Sequence, residues 1–268
     1  MTDKLKYYKL LWQLQDDGEQ FSSYSGLLQP VLFEGEECML KIAAREKDKR
    51  GNELMGWWNG NGAAPVLKFD ENALLMERAM GGRSLAEMAI KGRDDEASRI
   101  ICSAVARLHA HKAPYPDELV PLDTLFKDLE PAAAEYGAVF VQCSEIATTL
   151  LNDPVDIVVL HGDIHHGNIL DFGPKGWLAI DPKGLIGERG FDYANLFCNP
   201  DIATATNPDR LARQVHVVSG EAGLDPKRLL QWIAAWAGLS AAWSLDDGVN
   251  AEPAMTIAGM AVKGLQHL

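Results

Sequence analysis

Apolar positions in the first third of the chain come in short runs separated by turn-forming residues. Residues 27–33 and 38–43 are two such runs with Glu34-Gly35-Glu36 between them, the pattern of a β-hairpin. Residues 45–58 are charged and helix-compatible, and they stop at the breaker Asn59-Gly60-Asn61-Gly62. Two more apolar runs follow, at 65–69 and 73–76, so residues 1–80 read as a small antiparallel sheet with one helix. After Gly81-Gly82 the period changes. Ala97, Ile100, Ile101, Ala104, Val105 and Leu108 fall on one face of a helix, and residues 122–151 continue in that style. Leu229, Trp232, Ile233, Trp236, Leu239 and Trp243 repeat the stripe near the C-terminus, where a tryptophan row at helical spacing is a packing feature. Residues 155–180 interrupt the helices with a β-rich insertion. The pattern predicts an α+β fold in two parts, residues 1–80 mainly sheet and residues 81–268 mainly helix.

The insertion holds the unusual chemistry. Residues 155–160 form a β-branched run that should deliver His161-Gly162-Asp163-Ile164-His165-His166-Gly167-Asn168 at a strand end. Ile169-Leu170 starts a second run, Gly173-Pro174-Lys175-Gly176 supplies a turn, and residues 177–180 return. Paired strands lie about 5 Å apart, so Asp181 should come back beside Asn168. Phosphoryl transfer from ATP needs this grouping: one carboxylate for the hydroxyl proton, and an amide oxygen plus a second carboxylate for Mg²⁺. Asp163 suits the first task, Asn168 and Asp181 the second. The spacing from His161 through Asp163 to Asn168 matches a kinase catalytic loop, with Gly162 where protein kinases have Arg. Asp171-Phe172-Gly173 spells the metal-binding triplet of protein kinases, yet it follows Asn168 too closely for an outgoing and a returning strand. It is read as the outer end of the hairpin.

A kinase also needs a cation for the α- and β-phosphates. Lys41 stands in the apolar run Met39-Leu40-Lys41-Ile42, where such a lysine belongs, with Glu53 its expected helical partner and Glu46 the alternative. The phosphate-covering turn should be 22–26, Ser25 and Gly26 included, and residues 77–79, from Glu77 to Ala79, should form the adenine hinge.

Composition narrows the rest. At 268 residues the chain can bury a core without staples, and Cys38, Cys102, Cys143 and Cys198 are too dispersed for a zinc site or a disulfide framework. The formal net charge of −13 argues against nucleic acid as a partner and is compatible with a cationic one. The first fifteen residues lack the apolar run of a signal peptide and no later stretch is long enough to span a bilayer, so a cytoplasmic protein, most simply a monomer, is expected. A metallohydrolase built on His109, His111, His161, Asp163, His165 and His166 is the rival chemistry. It leaves the hairpin from Asn168 to Asp181 without a purpose.

At these residues the sequence resembles the aminoglycoside phosphotransferase family. The run HGDIHHGNIL followed by WLAIDPKGLIGERGFDYANLF is similar to the branch that holds streptomycin 6-kinases and hydroxyurea phosphotransferases. SSYSGLLQPVLFEGEECMLKI, NELMGWWNGNGAAPVL, LLMERAMGGRSL and ARLHAH extend the likeness over most of the chain. The resemblance implies a protein-kinase-like two-lobed fold, ATP with Mg²⁺, and transfer to a hydroxyl of a small cationic antibiotic, first of all the 6-hydroxyl of streptomycin, as a resistance activity. Hydroxyurea, choline or an amino-sugar are the alternative acceptors. Carried over, Asp163 is catalytic, Asn168 and Asp181 are magnesium ligands, Lys41 binds phosphate and His161 supports the loop. For the acceptor, Glu135, Glu188, Asp246 and Asp247 are the candidate carboxylates, since guanidinium groups invite bidentate pairing. Asp192, by analogy with kinases, should brace the loop backbone.

Overall fold

The structure, a computed structural model, describes residues 1–111 and 114–266, apart from the side chain of Lys47. Helix α1 (Thr2–Leu11) opens the chain and is followed by strands β1 (Gln15–Asp16), β2 (Phe21–Ser23), β3 (Gly26–Phe33) and β4 (Glu36–Ala43). Helix α2 (Glu46–Trp58), β5 (Val66–Asp70) and β6 (Ala73–Glu77) complete the first lobe. All pairings in its sheet are antiparallel, in the order β1-β3-β4-β6-β5, with β2 also paired to β3, along the edge that β1 uses. The hairpin expected around Glu34-Gly35-Glu36 forms, with Phe33 opposite Glu36. The helix at the N-terminus was not expected, because its lysines blur the apolar period. Leu5 and Tyr8 on α1 nevertheless bury against Leu27, Val31, Leu40, Ile42 and Leu75, and the Tyr8 hydroxyl donates to Asp70.

Helix α2 ends at Asn59 in a left-handed conformation (φ 35°), a C-cap that a short polar side chain tolerates. The chain after it does not leave the second lobe alone. Ala64 N–H donates to Ala179 C=O and Ala179 N–H to Gly62 C=O, both at 2.9 Å, so Ala63 and Ala179 form a parallel bridge. Gly62 has φ +86°, and a Cβ there would meet the backbone nitrogen of Leu108 at 2.9 Å. This is one of the points where only glycine permits the two lobes to come so close.

The second lobe begins with α3 (Leu85–Met88) and α4 (Asp94–His109), on whose inner face Ala97, Ile101, Ala104, Val105 and Leu108 are all buried. The expected helical stretch 122–151 is three helices, α5 (Leu122–Phe126), α6 (Leu129–Tyr136) and α7 (Ala138–Asn152), preceded by the short strand β7 (Val120–Pro121). Gly137 at φ +60° breaks α6 from α7. Strands β8 (Ile157–Leu160), β9 (Ile169–Asp171), β10 (Trp177–Ala179) and β11 (Leu185–Glu188) then carry the loops of interest. Helices α8 (Ile202–Ala205), α9 (Pro208–Ala222), α10 (Pro226–Asp246) and α11 (Glu252–Leu265) close the chain. Helix α10 runs through the middle of this lobe with Trp232, Ile233, Trp236 and Leu239 buried, as the stripe predicts. Gly238 lets it approach α7, where a Cβ would meet Cys143 Sγ at 2.9 Å. Buried Arg210 of α9 pairs with buried Asp94 at the start of α4 (2.8 Å), joining the two ends of the helical layer. All four cysteines are free, and among the described residues no helix is long and apolar enough to cross a membrane.

Candidate active site

Two antiparallel pairings build the site. In the first, β9 and β10 align Asp171 with Trp177, Leu170 with Leu178 and Ile169 with Ala179. Ile180 N–H then donates to Asn168 C=O (2.9 Å), which sets Asp181 beside Asn168 as the folded-back ribbon requires. In the second, β11 runs back along β8 with Leu185 opposite Leu160, and Lys183 N–H donates to His161 C=O (2.7 Å). The loop after β8 and the loop before β11 are therefore laid side by side. Gly162 sits at the crossing with φ +82°, and a Cβ there would press into the Leu185 side chain (2.7 Å), so the arginine of protein kinases has no room.

Fixed hydrogen bonds hold this loop. Asp192 accepts from the backbone N–H groups of His161 (2.9 Å) and Gly162 (2.7 Å), and from His109 Nε2 (2.8 Å). That is the bracing expected of Asp192, and it also shows what His109 is for. His161 is fully buried. Its Nδ1 accepts from Asp163 N–H (3.3 Å) and its Nε2 donates to Ile180 C=O (2.9 Å), so one neutral ring spans the outgoing and the returning strand. Burial pushes this imidazole below its ordinary pKa, in keeping with a neutral strut. The Trp58 ring stacks over it at 6.2 Å. His166 is also buried and pushed down to about 4, first by burial and then by Arg210. Among the described residues no three His, Cys, Asp or Glu side chains are grouped so as to hold a metal, which leaves the metallohydrolase reading without a site.

Asp163 projects from the loop with its two oxygens taken by different partners. Oδ1 accepts from Asn195 Nδ2 (2.8 Å), and Oδ2 lies 3.1 Å from Lys183 Nζ. Asn195 is held in turn by Trp236 Nε1 (3.0 Å) and Asn199 Nδ2 (3.1 Å), both donating to its Oδ1. Asp181 has Lys41 Nζ on Oδ1 (2.5 Å), Lys183 Nζ on Oδ2 (3.1 Å) and a hydrogen bond from Ser25. Burial alone would raise the Asp181 carboxyl, but the two lysines outweigh it and hold it down at about 2. Lys183 shows the converse: burial would lower it, and the two carboxylates raise it above its ordinary value. Asp181 adopts φ +62°, a left-handed conformation uncommon outside glycine.

The expected partnership of Lys41 with Glu53 is not formed. Lys41 is almost fully buried and pairs with Asp181, whereas Glu53 lines a surface cavity of about 460 Å³ with Gly56, Trp57, Lys68 and Phe69. Glu46, the alternative, is exposed and pairs with Lys49 (2.9 Å). Helix α2 instead meets the 181–184 segment through its glycine, since a Cβ on Gly51 would clash with the Pro182 carbonyl. The turn 22–26 reaches the cluster through Ser25, which bonds the Asp181 carboxylate. Ser25 is buried, its carbonyl accepts from Ala44 N–H (3.2 Å), and Gly26 packs so tightly on the Ile42 carbonyl that a Cβ could not fit. Glu77 ends β6, and its carboxylate pairs with Lys175 at the hairpin tip (2.5 Å); Ala79 is half-buried against the main core.

Asp171 faces away from this cluster. It accepts from Arg83 Nε (2.7 Å) and Nη2 (2.8 Å), and the Gly81 N–H donates to its carbonyl (2.9 Å), so it anchors the chain just after β6. Of the acceptor candidates, Glu188 is buried and saturated by Arg228 (2.7 Å), Trp232 (2.7 Å) and Val155 N–H (3.0 Å). It is therefore unable to receive a cationic ligand. Glu135, Asp246 and Asp247 are exposed.

The cluster offers hard oxygen donors. Mg²⁺ prefers a few such ligands and keeps the rest of its shell for water and phosphate. Asn168 donates through Nδ2 to Asp163 C=O (2.9 Å), which leaves its amide oxygen as an acceptor next to the Asp181 carboxylate. These two groups fit that ion, and a base, two ammonium groups and a cation site in one cleft suit phosphoryl transfer. Lys183 and Asn195 were not foreseen as members of the site.

The profile of the aminoglycoside/hydroxyurea antibiotic resistance kinases matches residues 11–248. The chain is 47% identical to a streptomycin 3''-kinase of Klebsiella pneumoniae over 88% of its own length and 91% of the relative's. A streptomycin 6-kinase of Streptomyces glaucescens is 30% identical, with 94% and 86% covered. A thermostable mutant aminoglycoside phosphotransferase, solved with ADP and hygromycin B, shares the fold with a TM-score of 0.64 at 15% identity, covering 97% of each chain. The chain belongs to the aminoglycoside/hydroxyurea antibiotic resistance kinase family.

Proposed function

We propose that the protein moves the γ-phosphoryl group of ATP to the 6-hydroxyl of streptomycin, with Asp163 as the base, Asn168 and Asp181 as the Mg²⁺ ligands and Lys41 as the phosphate lysine. The observation that carries this reading is the convergence of Asp163, Asn168 and Asp181, with both carboxylates spanned by one ammonium. Asp163 accepts the proton as the acceptor oxygen attacks, and Asn195 keeps its carboxylate turned toward the cleft. Bound Mg²⁺ supplies neutralisation of phosphate charge. Lys41 holds the α- and β-phosphates, Ser25 and Gly26 cover them, and residues 77–79 receive the adenine. Streptomycin is the substrate in the names of two relatives that cover nearly the whole chain. Those names divide over the hydroxyl, and the higher identity to the 3''-kinase favours the 3''-position as the second reading.

Incubation of the purified protein with ATP, Mg²⁺ and streptomycin, other aminoglycosides or hydroxyurea, followed by mass measurement, tests the acceptor. A phosphate-sized gain on streptomycin is expected, and NMR of the product distinguishes the two hydroxyls. Modification of hydroxyurea alone would cancel the antibiotic. Asp163→Asn should lower turnover by roughly 10²–10⁴ while nucleotide still binds. Near-normal turnover in that variant would remove Asp163 from the chemistry.

A further inference from the structure

Between Asp163 and Asn168 the loop carries Ile164, His165, His166 and Gly167, with neither lysine nor arginine. A phosphoryl group in transfer spreads negative charge over three equatorial oxygens, and here it must do so next to the carboxylate of the base. Lys41 is turned to the other oxygen of Asp181. The ammonium that stands between the two carboxylates is Lys183, 3.1 Å from Asp163 Oδ2 and 3.1 Å from Asp181 Oδ2. Its backbone is fixed by the bond from its own N–H to His161 C=O, and Gly184 at φ +69° lets the chain turn directly into β11. The Lys183 side chain is 24% exposed against 5% for Lys41, so a solute in the cleft can reach it. An ammonium has three donors: two face these carboxylates and the third reaches the Asp181 carbonyl at a long 3.3 Å, a weak bond that a phosphate oxygen can replace.

We propose that Lys183 grips the γ-phosphoryl group during transfer, a catalytic role distinct from that of Lys41. The inference rests on the phosphotransferase reading above. In the step, the acceptor oxygen forms a bond to Pγ and the bond from Pγ to the β,γ-bridging oxygen breaks, its electron pair leaving with ADP. The hydroxyl proton goes to Asp163. Lys183 gives up no proton; it donates hydrogen bonds to a non-bridging γ-oxygen and screens the incoming phosphoryl group from the base. Asp181 takes a left-handed conformation and Pro182 lies against Gly51, so that positions 181 and 183 face the same cleft.

The test compares Lys183→Met and Lys183→Gln with the unaltered protein, measuring calorimetric binding of Mg²⁺·ADP and Mg²⁺·AMP-PNP. Both variants should lose AMP-PNP affinity by roughly tenfold and keep ADP affinity within about twofold, since only the triphosphate carries the group that Lys183 holds. Turnover on streptomycin should fall by roughly 10²–10³, and Lys183→Arg should recover part of it. Equal loss of ADP and AMP-PNP affinity would make Lys183 a structural brace and overturn the proposal. So would unchanged AMP-PNP affinity with unchanged turnover. Failure of the underlying reading looks different: Asp163→Asn would then keep its turnover, or the unaltered protein would bind neither nucleotide.

Discussion

Asp171 and Asp181 occupy the two ends of one hairpin, and both are held at about 2, well below an ordinary aspartate. They reach that state by different routes. For Asp171 the Arg83 guanidinium comes first, binding both oxygens in a fork while its face lies over the Trp177 ring at 4.9 Å. Backbone N–H groups of Gly173 and Arg83 occupy what remains. For Asp181 two separate ammonium groups each take one oxygen, and each sits on a flexible stem. A guanidinium fork is a pre-organised clamp, whereas lysines can turn to a new partner without dismantling the fold. A depressed carboxylate is thus not by itself a mark of chemistry. What separates the two is whether the groups that hold the charge can hand it to a ligand.

Substitution at Asp181 should sharpen this contrast most. Asp181→Ala is expected to weaken Mg²⁺-dependent AMP-PNP binding by more than the roughly 10–100-fold that loss of an outer-shell partner costs a metal site. Asp171→Asn should leave that affinity unchanged, and the reverse order in a magnesium titration would break the comparison. The cost of Asp171→Asn should fall on stability, at ~1–2 kcal/mol, kept modest because Arg83 can return to water. Its pH dependence has a definite sign. An aspartate lowered in the folded state stabilises fully above its unfolded value near ~3.9 and ceases to do so as the pH falls toward its folded value. The gap in thermal midpoint between the parent protein and Asp171→Asn should therefore be widest above about pH 4 and close near pH 2. A gap that persisted at pH 2 would assign the cost to shape, not charge. The smallest effect is expected from Trp236→Phe, which removes one of two donors to Asn195. Turnover should drop only severalfold, matching the ~0.5–1.5 kcal/mol of a single hydrogen bond, with the KM for ATP unaltered.

The hairpin was legible in the chain because its signals are local: a β-branched run, a Gly-Pro turn and a returning strand. The position of Asp181 beside Asn168 follows from that register. Lys183 was hidden because its place depends on β11, four residues containing Gly187 that carry little strand character and pair with β8 far upstream. Asn195 lies in a short 3₁₀ turn with no period to reveal which side chains point inward. Glu53 was a transferred expectation; the helix turn that meets the site carries Gly51 and Asn52, so no carboxylate arrives there. The tryptophan stripe of α10 did report packing, but packing was not the whole of it. Trp236 also spends its indole N–H on orienting the amide that holds Asp163.

The backbone bridge between Ala63 and Ala179 sets how the molecule can breathe. With the exit of α2 stitched to β10 on one side and Gly81 tied to Asp171 on the other, backbone bonds hold the first lobe to the helical half at two places, beside the side-chain bonds of Trp57 to Pro114, Trp58 to Leu108 and Lys175 to Glu77. A body attached at two points can rock about the line that joins them, but it cannot slide. An opening of the cleft about these ties would have to part Lys41 from Asp181, and closing would return it to the same carboxylate.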